Sequence, residues 1–184
     1  MGGYAFLKGI SKKENEYILI MDRAFFPYGA KEPDFLIKRC LFLCWYLKKR
    51  KVDLIILACN TLSVVTLSEV RLRLNVPVIG VIELFDMKKY QNTLFIGTQN
   101  TVNYLKPLYP NIDFLATPEL IEYIEHKDFR AIKAYINKKR NLFDSYSNIL
   151  LGCTHFILIK HLIKNAIAQD DLFNIKMLKG IGNA

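Results

Sequence analysis

Two apolar runs in this chain end alike. DLIILACNT closes on Cys59, Asn60 and Thr61, and NILLGCTH closes on Cys153, Thr154 and His155. Short aliphatic runs bounded by polar residues read as strands buried on both faces, and such strands belong to parallel sheets covered by helices. A cysteine that ends such a strand stands at the mouth of the sheet, where open α/β folds bind their ligands. Two such ends in one chain bring two thiols toward one cleft. A facing thiol pair can remove a proton from one side of a carbon and return one to the other.

The rest of the chain alternates in the same way. Strands are expected at 16–22, 52–59, 77–82, 92–98, 111–117 and 147–153. Helices are expected at 33–50, 61–75, 99–108, a stretch opened by Pro118, 128–143 and 156–169. Pro33 suits a first helical turn, and the basic residues near Lys49 suit a last one. Regular alternation implies an α/β fold with largely parallel sheets. The polar stretch ELFDMKKYQ separates two halves that each contain a strand-then-cysteine pattern. Two α/β lobes follow: 1–84, with 165–184 returning to it, and 85–164. The tail DLFNIKMLKGIGNA has no clear pattern.

A chain of 184 residues is one domain or two small lobes. No apolar run approaches the roughly 20 residues of a membrane span. The opening MGGYAFLKGISKKENE lacks the basic start and long apolar core of a secretory signal. A cytoplasmic protein with no membrane partner is expected. The net charge of +9 is spread over Lys12-Lys13, Lys48 to Lys51, Lys88-Lys89 and Lys138 to Arg140. That spread suits helix ends and solvated faces better than a nucleic-acid surface. Cys40 and Cys44 share one helix face and read as small core residues. The chain has no CxxC pair, and the Cys153–His155 pair has no companion pair, so neither a metal nor another cofactor is expected.

The strand ends suggest chemistry. Cys59 lies just before a helix, and the dipole and free amides there favour thiolate. A free thiol titrates near ~8.5, so a downward shift is expected. Asn60 and Thr61 offer donors for a carboxylate or amino group. His155 can orient or protonate Cys153, or receive a substrate's ammonium as neutral imidazole. The segment DRAFFPYG contains a Pro-Tyr-Gly turn around Tyr28 and Gly29, whose amides suit a carboxylate.

Taken in order, DRAFFPYG, LACNTLSVVTL, VPVIGVIE, LFIGTQNTV and ILLGCTHFILI resemble the cofactor-independent aspartate/glutamate racemases, and glutamate racemases in particular. ACNT and LGCTH together are the specific part. The resemblance implies two doubly wound α/β lobes with the active site between them. It implies Cys59 and Cys153 as the acid/base pair. It implies Tyr28, Gly29, Asn60, Thr61, Thr154 and His155 as substrate-binding residues, with Glu125 and Thr101 assisting. It further implies glutamate as substrate, no cofactor, a homodimer, and D-glutamate supplied for peptidoglycan and hence for cell-wall biogenesis and cell shape.

The chain also departs from the family. MGGYAFLKGI resembles the stretch that follows an Asp-Ser-Gly strand in relatives, and that strand is not in the sequence. The segment after IGTQNTV and the C-terminal part are shorter than in relatives. Three readings stay open: an active racemase, a racemase scaffold with little activity, and a binding module on the same scaffold.

Overall fold

The computed structural model describes residues 1–173, so most of the unpatterned tail lies outside the described residues, as does the end of 165–184. Helix α1 (Gly2–Ile10) leads into an extended segment and a 3-10 turn at Arg23–Phe25. Helix α2 (Pro33–Lys49) starts on proline and buries Leu36, Cys40 and Cys44, which recur every fourth residue along one face. Strand β1 (Ile55–Leu57), helix α3 (Asn60–Arg73) and strand β2 (Val78–Gly80) follow. Then come strand β3 (Thr93–Gly97), helix α4 (Gln99–Leu105), strand β4 (Asp113–Ala116), and helices α5 (Pro118–Glu125) and α6 (Phe129–Asp144). Strand β5 (Asn148–Gly152), a 3-10 helix at Thr154–Leu162, strand β6 (Ala166–Ile167) and helix α7 (Gln169–Leu172) complete the described chain.

The fold is α/β, and every strand pairing is parallel. β1 pairs with β2, and the second sheet runs β4-β3-β5-β6. Successive side chains of a strand point to opposite faces. Leu94, Ile96, Ile149 and Leu151 accordingly face Leu120, Ile124, Ile132 and Phe156. Phe95 and Leu150 face Val64, Val102, Leu105 and Ile112 on the other side. Helices thus cover both faces of this sheet, as a buried parallel sheet requires. In the first half, Leu36, Cys40 and Cys44 pack with Ile55, Leu57, Leu62 and Val78, so both α2 cysteines are core residues. Glu83 accepts the Gly80 amide at 3.0 Å and a two-pronged pair of bonds from Arg71, which ties the end of β2 to α3.

At the carboxyl end of the larger sheet, Gly97 and Gly152 lie opposite one another. A Cβ on Gly152 would stand 1.9 Å from the Phe95 ring, and one on Gly97 would stand 2.9 Å from it. The bare backbones let the buried Phe95 ring lie across both strand ends, just before Cys153.

Two expectations are corrected. Residues 16–22 are extended but belong to no strand, because among the described residues no strand lies alongside to share a ladder. Tyr17, Ile18, Leu19 and Met21 there are between 37% and 48% exposed, which is not the burial of a central strand. The expected helix at 156–169 is a 3-10 helix that ends at Leu162. Asn165 takes φ 57, a left-handed turn that asparagine tolerates, and turns the chain into β6. Helix α1, in contrast, was not foreseen, because two adjacent glycines argue against a helix start. Among the described residues, no helix is long and apolar enough to cross a membrane.

Candidate active site

Cys59 and Cys153 occupy matching places. Each directly precedes a helix as its N-cap, with φ and ψ of −142° and 121° at Cys59 and −143° and 130° at Cys153. Cys153 follows β5 directly, and Cys59 comes two residues after β1. Thr154 Oγ1 donates to the Ala58 carbonyl at 3.1 Å, so the two strand ends touch. The thiols are close enough that a charge on Cys59 raises the pKa of Cys153.

Burial decides the charge state of both. At Cys59 burial pushes the thiol up, outweighing the amides of Thr61 and Leu62 and the Thr61 hydroxyl, which favour thiolate. At Cys153 burial is again the largest cause, and the thiol is pushed up to about 12. The expected downward shift at the helix N-terminus is therefore corrected: the amides act in the expected direction but are outweighed by desolvation.

His155 defines a proton path at Cys153. Burial holds its imidazole below the usual value, so it is neutral at neutral pH. Its Nε2 hydrogen-bonds Glu125 Oε1, and its Nδ1 lies 3.3 Å from Cys153 Sγ. Burial alone would raise the Glu125 carboxyl, but the Met1 ammonium, 3.0 Å away, and His155 outweigh it and hold the group below its ordinary value. An ionised carboxylate only accepts, so Nε2 carries the imidazole proton and Nδ1 presents its lone pair to the thiol. Cys153, His155 and Glu125 form one line. Among the described residues, the hydrogen-bond partners of Cys59 are the Thr61 and Leu62 amides and the Thr61 hydroxyl, with no imidazole.

Threonines join the two halves. Thr61 Oγ1 lies 3.0 Å from Thr98 Oγ1, which lies 2.9 Å from Thr101 Oγ1. Thr98 also caps α4 by accepting the Thr101 amide at 3.2 Å. Opposite stands the Phe26–Gly29 loop. Phe26 packs against the His155 ring, and a Cβ on Gly29 would stand 3.0 Å from Thr98 Cβ. The Gly29 carbonyl accepts the Asn100 amide at 3.3 Å. The Tyr28 hydroxyl donates to Asp22, which Arg39 grips from α2 with bonds of 2.7 and 2.8 Å. That guanidinium holds the Asp22 carboxyl below its usual value. Burial and Asp22 hold the Tyr28 hydroxyl protonated, and nearby Cys59 adds to this. Tyr28 therefore spends its hydroxyl on the loop's own anchor and offers the site its backbone.

All ten residues singled out from the sequence thus gather around the two strand ends. Tyr28, Gly29, Asn60, Thr61 and Thr101 join Glu125, Cys153, Thr154, His155 and Cys59 through the contacts above or as immediate neighbours. Sequence reasoning placed Thr98 at a strand's carboxyl end and Asp22 and Phe26 in the DRAFFPYG segment but gave them no role, and it missed Arg39 and Gln169. Thr98 carried a signal, a threonine after a strand with another three residues on, the mark of a helix cap. Arg39 and Gln169 carried none, since each meets its partner only through the fold. Two surface hollows, one beside Lys106 and Tyr146 and one beside Arg71 and Glu83, border neither thiol. Among the described residues, no three carboxylate, imidazole or thiol side chains gather as a metal-binding group.

Known proteins share this chain's sequence pattern and fold. The glutamate racemase of Buchnera aphidicola subsp. Schizaphis graminum is 33% identical over 182 residues, covering 87% of this chain and 71% of that relative. The crystal structure of glutamate racemase from Campylobacter jejuni subsp. jejuni superposes with a TM-score of 0.83 at 28% identity, covering 99% of this chain and 82% of that one. Glutamate racemase from Francisella tularensis subsp. tularensis, solved in complex with D-glutamate, gives a TM-score of 0.77 at 25% identity over 97% of this chain and 76% of that one. No protein-family model matches the chain.

Proposed function

Because the chain belongs to the glutamate racemase family, we propose that it interconverts L- and D-glutamate by proton transfer between Cys59 and Cys153. The observation that carries this reading is the matched pair of helix-capping cysteines at adjoining strand ends. One thiolate takes the α-proton, and the opposite thiol gives its own proton to the other face of the carbanion. In the reverse direction the roles exchange.

The α-proton of an amino acid is a very weak acid. A dry site with fixed dipoles supplies the stabilisation that water would not. Burial has the same source as the raised thiols: it strengthens a thiolate as a base once formed. While Cys153 is protonated its thiol points its proton at His155 Nδ1, and Glu125 fixes the imidazole tautomer that allows it. Cys59 relies on the amides of Thr61 and Leu62. Asn60, Thr61, Thr154 and the backbone at Tyr28 and Gly29 hold the substrate's charged groups, with Thr101 supporting through Thr98.

The same reading divides the chain into lobes at 1–84 and 85–164 with the site between them, and assigns it to the cytoplasm as a homodimer that supplies D-glutamate for peptidoglycan. The test is polarimetric. Pure L-glutamate and pure D-glutamate should each drift to zero optical rotation with this protein, while L-aspartate does not. A folded protein that leaves glutamate optically unchanged overturns the proposal and leaves the binding-module reading.

A further inference from the structure

Asn60 is 2% exposed and Gln169 is fully buried. They lie 109 positions apart in the chain, yet Gln169 Nε2 donates to Asn60 Oδ1 at 2.9 Å. The other polar atom of each amide, Asn60 Nδ2 and Gln169 Oε1, is buried without a hydrogen-bond partner among the described residues. A buried donor or acceptor left unpaired is costly and rare in native proteins, so such groups call for an explanation.

Gln169 is held firmly. It opens α7, and Lys160 reaches Asp170 at 3.1 Å and Asp171 at 2.6 Å on the next two positions. Asp171 also accepts the Ala168 amide at 3.0 Å. Gly9 of α1 packs so closely on Asp170 that a Cβ there would stand 2.8 Å from the Asp170 Cβ. The amide that meets Asn60 is therefore fixed by its own element. Asn60, in turn, is the residue next to Cys59.

We propose that Gln169 is a positioning residue: by engaging Asn60 Oδ1 it turns the Asn60 amide so that its Nδ2 donor is kept free for a carboxylate oxygen of the amino-acid substrate. The inference rests on the racemase reading and names what sets the orientation of one of its binding groups. The substrate's carboxylate supplies the acceptor that the described residues do not. An amide has two ends, and a fixed neighbour on Oδ1 sets the Nδ2 end toward the anion before it arrives, so binding need not turn the side chain first.

Two variants separate positioning from mere packing. At a pH high enough to ionise the buried side chain, the Gln169→Glu carboxylate only accepts, so it draws Asn60 Nδ2 and leaves Oδ1 to face the substrate. KM for glutamate should rise about tenfold or more, the order expected when a charged hydrogen bond is lost, with kcat changed far less. In Gln169→Met the volume is kept and the amide is lost. KM should rise less than in Gln169→Glu, and the midpoint of thermal unfolding should fall less as well, because no charge is buried. Equal KM values for the wild type and Gln169→Glu overturn the inference. So does a fall in kcat at unchanged KM. Wild-type racemisation of glutamate, measured in parallel, keeps the two claims apart: its absence rejects the racemase reading, whereas its presence with an unmoved KM in Gln169→Glu rejects only the role of Gln169.

Discussion

At the scale of single residues, the contest at the thiols is between helix amides and burial. Cys59 lies where a helix dipole and free amides should lower a thiol, and Thr61 and Leu62 do act in that direction. Desolvation wins at both cysteines. The sign follows directly. A raised thiol is mostly protonated at neutral pH, so the fraction of enzyme with one thiolate grows as pH rises. Below the governing pKa, kcat/KM should climb by about tenfold per pH unit. Between pH 6 and 8.5, pH-rate profiles should show that rise without a plateau. A plateau reached at pH 7 would mean that the helix amides outweigh burial after all. L- and D-glutamate have equal free energies, so kcat/KM must be the same in both directions at every pH. The different surroundings of the two cysteines can therefore appear only as different kcat and KM values for each enantiomer.

At the scale of elements, the site depends on how β3 and β5 end. Gly97 and Gly152 are paired in register beneath the Phe95 ring. Gly152→Ala puts a methyl group into a fully buried ring with no space to retreat. Overpacking of that kind costs about 1–3 kcal/mol. Thermal unfolding should show a clear drop in Tm, and activity should fall with it because Cys153 is the next residue. Much of this scale was legible in the sequence. The run NILLGC could be read as a strand because its aliphatic residues are buried on both faces, and Pro33 and Pro118 marked helix starts correctly. The strand ends also carried the site, since Cys59 and Cys153 are each followed by two polar residues. What was not legible depended on neighbours far away in the chain. EYILIMD has the pattern of a strand, but a strand exists only where another strand offers it a ladder. β6 is two residues long and too short for any period to show. Gln169 looks like a surface glutamine until the fold presses it against Asn60.

At the scale of the whole molecule, two parallel sheets bring together what the chain keeps apart. Hydrogen bonds that cross between the halves near the thiols include Thr154 to Ala58, Thr61 to Thr98, and the Asn100 amide to the Gly29 carbonyl. Another, Gln169 to Asn60, brings the end of the described chain back to the first sheet's helix. The result is a site in which each thiol belongs to a different sheet. That separation is what a two-base racemisation needs, because the proton must leave one face of the α-carbon and arrive on the other. The measurement that tests this most directly is proton exchange during early turnovers in D2O. With either enantiomer as starting material, the product should carry deuterium at the α-carbon while recovered substrate keeps its proton. Cys59→Ser and Cys153→Ser should each slow racemisation about 10²–10⁴-fold. Product that keeps the substrate's own proton, or racemisation that survives loss of either thiol, would contradict the account.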